Sequence, residues 1–153
     1  MSIIQKTATE QLALLNSGEL TSVELTQAYL NQIEQVDGQV GAFLRVETES
    51  ALAQAAAIDQ KRATEAPLGK LAGLPVAIKD ILCTKDTPTT CGSRMLENFQ
   101  PPYNATVVEK IRAADGVILL LKDFDQDVEV GRVPEQVALC LLKGRAAEAR
   151  DDV

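Results

Sequence analysis

LAGLPVAIKDILCTKDTPTTCGSRMLENF, residues 71–99, decides how this chain is read. Within it, Leu74, Pro75, Val76, Ala77 and Ile78 form a short apolar run, preceded by Gly73 and followed by Lys79 and Asp80. A run of that length, partly β-branched and opened by glycine and proline, predicts a buried strand. A lysine at the mouth of such a strand keeps its stem among apolar neighbours. Desolvation there disfavours the ammonium, which is how an amine becomes a usable base near neutrality. The plainer alternative is that Lys79 leaves the core and pairs with Asp80, Asp86 or water, as most strand-end lysines do.

Upstream, residues 7–17 read as a helix with Leu12 and Leu15 on one face, stopped by Gly18. Thr21 and Glu24 stand at capping-box spacing and open a second helix. Leu25, Ala28, Tyr29, Ile33 and Val36 recur along it at helical intervals, and Gly38 is expected to close it. That stripe reads as core packing, with a partner-facing use of helix 21–36 as the alternative. Residues 42–46 are expected to form a short strand and residues 50–63 an alanine-rich helix, and 67–70 is a turn into the Lys79 strand.

Downstream, residues 84–92 form a Thr/Pro/Gly-rich loop of the kind that carries function on a scaffold. Asn104 is expected to cap a helix reaching Asp115, and residues 117–121 to form a second fully buried strand. Helices alternating with strands predict an α/β fold, a sheet covered by helices. The tail, residues 121–153, changes character. It is acidic at first, then enters a helix-like stretch opened by Pro134. The expected division is therefore an α/β unit over residues 1–120 and an unrelated acidic, helical tail over 121–153.

With 153 residues, 46% apolar and 24% charged, the chain has a globular composition and can bury a real core. Its net charge of −7 argues against direct nucleic-acid binding, which needs clustered Lys and Arg. No apolar run approaches the roughly 20 residues of a membrane span, and no signal-peptide pattern opens the chain. Three cysteines, Cys83, Cys91 and Cys140, show no CxxC spacing, and histidine is absent, so no zinc site is expected. Reduced thiols in a cytoplasmic protein are the expected state. Cys91 is expected to be a small buried residue in its turn rather than a nucleophile, since no histidine can activate it.

The run LAGLPVAIKD, followed by PTTCGSRMLENFQPPYNATVVEKI, resembles the N-terminal part of the amidase-signature family. Within that family it is similar to the A subunits of glutamyl-tRNA(Gln) amidotransferases, a likeness carried by residues 89–103 and extending over roughly residues 2–120. The resemblance implies the N-terminal helices and part of the mixed sheet of the amidase-signature fold. It implies that Lys79 is the base of a Ser-Ser-Lys triad, acting through a bridging serine on the nucleophile. Thr90, Gly92 and Ser93 are implied to line the substrate pocket. It further implies glutamine as substrate and amidotransferase subunits B and C as partners. ATP and magnesium would be used by the partner subunit rather than this chain, and tRNA would be met only through the partner.

One departure qualifies this. The family's two triad serines follow the stretch seen here, whereas this chain has no serine after Ser93. A nucleophile must sit within about 2.6–3.2 Å of its base. The expectation is a chain truncated before both serines, inactive alone, with Lys79 open to water and strand 117–121 left with an open, aggregation-prone edge. Its rivals are a non-catalytic module that docks on the other amidotransferase subunits, and a fragment of another small-amide amidase.

Overall fold

The computed structural model describes residues 2–120. Their elements are α1 (Ala8–Ser17), α2 (Ser22–Val40), α3 (Thr48–Ala63), β1 (Pro75–Ile78), α4 (Thr106–Ala113) and β2 (Val117–Leu120). Both expected helix starts are built as reciprocal caps. The Thr7 hydroxyl accepts the Glu10 N–H at 3.3 Å while the Glu10 carboxylate accepts the Thr7 N–H at 2.7 Å. Thr21 and Glu24 repeat the arrangement at 3.1 and 2.9 Å. A cap of this kind stabilises a helix by about 1 kcal/mol. The backbone N–H of Thr7 and that of Thr21 hold the Glu10 and Glu24 carboxyls below the usual carboxylate range.

A third device ties α2 to α3. The Asp59 carboxylate, on α3, accepts the N–H groups of Ser22 and Val23 at 2.8 and 3.0 Å. An anion there also meets the positive end of the α2 dipole. Arg62 reaches Asp59 at 3.4 Å and donates to the Ala72 carbonyl at 3.1 Å, so both helices are pinned to the approach to β1.

β1 and β2 pair in parallel, with register Pro75↔Val117 through Ile78↔Leu120. Side chains on β2 alternate between the two faces. Val117 and Leu119 enter a core with Leu30, Ala51, Ala55 and Ile58 of α2 and α3. Ile118 faces the other way, against Ile78 and Val108 of α4. The small alanines of α3 let it lie close to the strand. A further cluster of Leu15, Leu20, Leu25 and Leu74 seats α1 and α2 on the lead-in to β1. Gly69 permits one close approach: a Cβ there would stand 2.3 Å from the Ala114 carbonyl carbon.

The α/β class and the two strands around Lys79 and Val117 agree with the sequence reading. Several details differ. The first three helices precede any strand, so the alternation begins only at β1. Residues 42–46 are not a strand, because Asp37 accepts the Ala42 and Phe43 N–H groups at 2.7 and 3.2 Å and takes the donors a ladder needs. Gly38 does not close α2. The helix runs on to Val40 and stops at Gly41, whose left-handed φ of 63° ends it. Asn104 does not cap α4: its carboxamide oxygen accepts the Lys85 N–H at 2.9 Å, and Ala105 is the cap residue. β1 is less buried than its apolar run predicts, with Pro75, Val76 and Ala77 only half-buried. The tail, residues 121–153, lies outside the described residues. Among the described residues no helix is long and apolar enough to cross a membrane.

Candidate functional site

β1 delivers Ile78 to the interior, 3% exposed, and the next residue, Lys79, to the surface. The chain then turns, with the Leu82 N–H donating to the Lys79 carbonyl at 2.9 Å. This turn aims Asp80 at the later loop. Asp80 Oδ1 accepts the Thr90 N–H at 2.9 Å, and Oδ2 accepts the Thr90 hydroxyl in a very short contact. The Asp80 carbonyl also accepts the Cys91 N–H at 3.3 Å. Three bonds therefore hold residues 90–91 against the end of β1.

The turn they hold is unusual in its backbone. Cys91 and Gly92 both have left-handed φ, 52° and 68°. The Thr90 hydroxyl accepts the Gly92 N–H at 3.2 Å, and the Thr90 carbonyl accepts the Ser93 N–H at 2.9 Å. Cys91 is exposed, which corrects the expectation of a buried thiol: its backbone N–H, not its side chain, makes its contact in the turn. Two further bonds close the base of the loop. The Thr89 N–H donates to the Phe99 carbonyl at 3.0 Å, and the Ala105 N–H to the Cys83 carbonyl at 2.7 Å. Thr84 and Thr89 are both 3% exposed and meet through the Thr84 N–H and the Thr89 hydroxyl at 3.4 Å.

An open groove of about 690 Å³ lies along this loop. Lys79, Thr90, Gly92 and Ser93, the four residues singled out from sequence, all line it. Asp80 lines it too, and Arg45 and Arg94 bring two further cations. Sequence reasoning treated Asp80 only as a possible partner for Lys79 and missed its hold on Thr90. Nothing in the spacing of residues 80 and 90 signals that bond. Arg45 was missed because residues 42–46 were expected to be a strand, whereas they run beside the groove as an irregular connection. The Thr90 hydroxyl is committed twice, donating its proton to a carboxylate and accepting from Gly92, so it is not available as a nucleophile. Outside the groove, the Cys83 thiol lies 3.9 Å from the Tyr103 hydroxyl and pushes that phenol above its usual range.

The site is thus a parallel β-α-β unit with a lysine at the end of its first strand and a Thr-Cys-Gly-Ser turn held beside it. The family model described as Amidase matches residues 24–126. The chain belongs to the amidase family. It is 52% identical over 124 residues to the A subunit of the Streptomyces coelicolor glutamyl-tRNA(Gln) amidotransferase, covering 81% of this chain and 25% of that protein. Its Streptomyces avermitilis counterpart is 51% identical over 126 residues, with 82% and 25% covered. Among solved structures, the peptide amidase of Stenotrophomonas maltophilia superposes with a TM-score of 0.70 at 32% identity, over 74% of this chain and 24% of its own. The chain thus spans about a quarter of the length of the curated relatives it matches.

Proposed function

We propose that this chain carries the lysine base of an amidase site whose two serines are supplied by a further amidase-family segment. In this reading the Lys79 amine is the base that takes a proton from a bridging serine. That serine takes the proton of the nucleophilic serine as its oxygen attacks the carboxamide of glutamine. One proton passes back along the same relay to the departing nitrogen as the C–N bond breaks, ammonia leaves for the transamidation of glutamyl-tRNA(Gln), and water then hydrolyses the glutamyl ester left on the serine to release glutamate. Subunits B and C are the partners of that reaction, and ATP and magnesium are used in the partner subunit.

The observation that carries the reading is the placement of Lys79 at the end of β1, on one groove wall with the turn that Asp80 clamps. Identity supports amidotransferase over stand-alone amidase: it is 52% to the Streptomyces coelicolor amidotransferase chain and 32% to the peptide amidase. Thr90, Gly92 and Ser93 form the pocket wall in this reading, with the Asp80–Thr90 bonds holding them in place. The chain has no serine after Ser93 and releases no ammonia by itself in this reading.

The test is complementation. The chain is mixed with a polypeptide carrying the remaining three-quarters of the Streptomyces coelicolor amidotransferase chain, and ammonia release from glutamine is measured. Activity appears only in the mixture and falls with Lys79→Ala by about 10²–10⁴-fold, the usual contribution of a positioned base. Release by the chain alone, lost on Lys79→Ala, would overturn the proposal and require a nucleophile within these residues.

A further inference from the structure

The two strands end side by side. They are parallel and Ile78 pairs with Leu120, so the chain passes to Lys79 on one strand and to residue 121 on the other at the same end of the sheet. Neighbouring strands lie about 4.8 Å apart. Whatever follows Leu120 therefore starts beside the groove that Lys79 lines.

That groove carries more cationic charge than it satisfies. Lys79, Arg45 and Arg94 line it, against the carboxylates of Asp80 and Glu97. Asp80 is already committed, since both of its oxygens accept from Thr90. Arg45 has a 4.0 Å contact with Glu47, and both side chains are half-exposed. Among the described residues no hydrogen bond or ion pair engages the Arg94 guanidinium. Two loosely held guanidinium groups on an open groove suit a run of carboxylates.

The residues after Leu120, which lie outside the described residues, supply such a run. Residues 122–129 read KDFDQDVE, with carboxylates at Asp123, Asp125, Asp127 and Glu129 against one cation, Lys122. The acids alternate with Phe124, Gln126 and Val128. Laid extended along a surface, that pattern puts every acid on one side. Reach is ample, because Asp123 is three residues beyond Leu120 and three extended residues span about 10 Å.

We propose that residues 123–129 of this chain occupy its own groove, their carboxylates paired with Arg94 and Arg45 across the face of Lys79. The attachment at Leu120 makes this encounter intramolecular, which favours the chain's own segment over a free anion. A segment seated there covers Lys79, and any ligand of the groove has to displace it. The pairs join exposed charges, so salt weakens them. None of this depends on the amidase reading.

The experiment uses the whole chain. Zero-length carbodiimide coupling joins amines to carboxylates that touch, and peptide mass spectrometry maps the links. The expected result is Lys79 coupled to residues 123–129 within the monomer, with a yield that falls severalfold in high salt. A second variant-based measurement follows the Arg45 and Arg94 Nε–H resonances by NMR. Both should move when Asp123→Asn, Asp125→Asn, Asp127→Asn and Glu129→Gln are combined, because the pairing is lost. Links from the segment only to Lys61, Lys70 or Lys110 overturn the proposal, as do guanidinium resonances that stay in place in the variant. Links found only between two copies give the groove to a neighbour's segment and overturn the intramolecular contact.

Discussion

Asp80 holds Thr90 through both oxygens of one carboxylate: Oδ1 accepts the Thr90 backbone N–H at 2.9 Å and Oδ2 accepts its hydroxyl. The two residues come from opposite ends of the groove loop, so this pair sets the distance between the end of β1 and the Cys91–Gly92 turn. Asp80→Ala leaves the Thr90 N–H without its acceptor. Stability is expected to fall by about 1–3 kcal/mol, the cost of an unmade bond to a charged group. Thr90→Val removes only the hydroxyl and should cost less. Urea unfolding measures both, and faster amide exchange at Thr90 localises the effect.

Acid stability should depend on Asp115. Lys61 bonds its carboxylate at 2.7 Å, and the Gly69 N–H donates to the other oxygen at 2.7 Å. Lys61 first, then the Gly69 amide, hold this carboxyl below its ordinary value of 3.8. A pKa depressed on folding contributes stability that is present above the unfolded value and lost as pH falls through the folded one. The contribution should therefore be constant at neutral pH, begin to be lost as pH falls below 3.8, and be gone only below the depressed folded-state value. Asn tolerates the left-handed φ of 59° found at Asp115. Asp115→Asn thus removes the charge without straining the backbone. The variant should be less stable than the native chain at pH 7, and the gap should narrow in denaturant titrations as pH is taken below 3.8.

Two glycines should respond oppositely to alanine. Gly69→Ala drives a methyl into the Ala114 backbone, where a Cβ would lie 2.3 Å from the carbonyl carbon. Such overpacking against backbone is expected to cost at least about 1–3 kcal/mol. Gly38 lies inside α2 with nothing within 4 Å of a built Cβ. Gly38→Ala should raise stability by about 0.5–1 kcal/mol through helix propensity and a less flexible unfolded chain. Melting temperatures of the two variants give the signs directly.

Lys79→Ala should separate folding from function. Lys79 is exposed beyond the strand end, and a surface substitution of this kind changes stability by no more than about 0.5 kcal/mol. The melting curve should be nearly unchanged while ammonia release in the complemented assay is lost.

The helices with strong local punctuation were legible in the sequence. Thr21 and Glu24 announce their cap within three residues, and the structure makes that box; Thr7 was read only as a helix start, and the structure adds a second box there with Glu10. The strands at Val76 and Ile118 were legible as short apolar runs. What failed were positions decided by side chains reaching across the fold. Asp37 took the donors of Ala42 and Phe43 and cancelled a strand. Asn104 spent its carboxamide on Lys85 instead of a helix end. The groove shows the same division. Lys79, Thr90, Gly92 and Ser93 could be picked out by resemblance, and all four meet in one groove. Asp80 as the clamp and Arg45 as a neighbour could not, because each depends on a fold-level juxtaposition that no periodicity records.

The loop between the two strands is fastened at its own base, Cys83 to Ala105 and Thr89 to Phe99, and again at Asp80. Those fastenings use mainly backbone groups, which any side chain leaves in place. The groove-bearing segment is therefore a cassette. Its exposed side chains, Arg94 and Glu97 among them, can be exchanged without disturbing the parallel pair beneath. A fold arranged in this way can keep one lysine at a fixed post while the chemistry admitted to it is rewritten residue by residue.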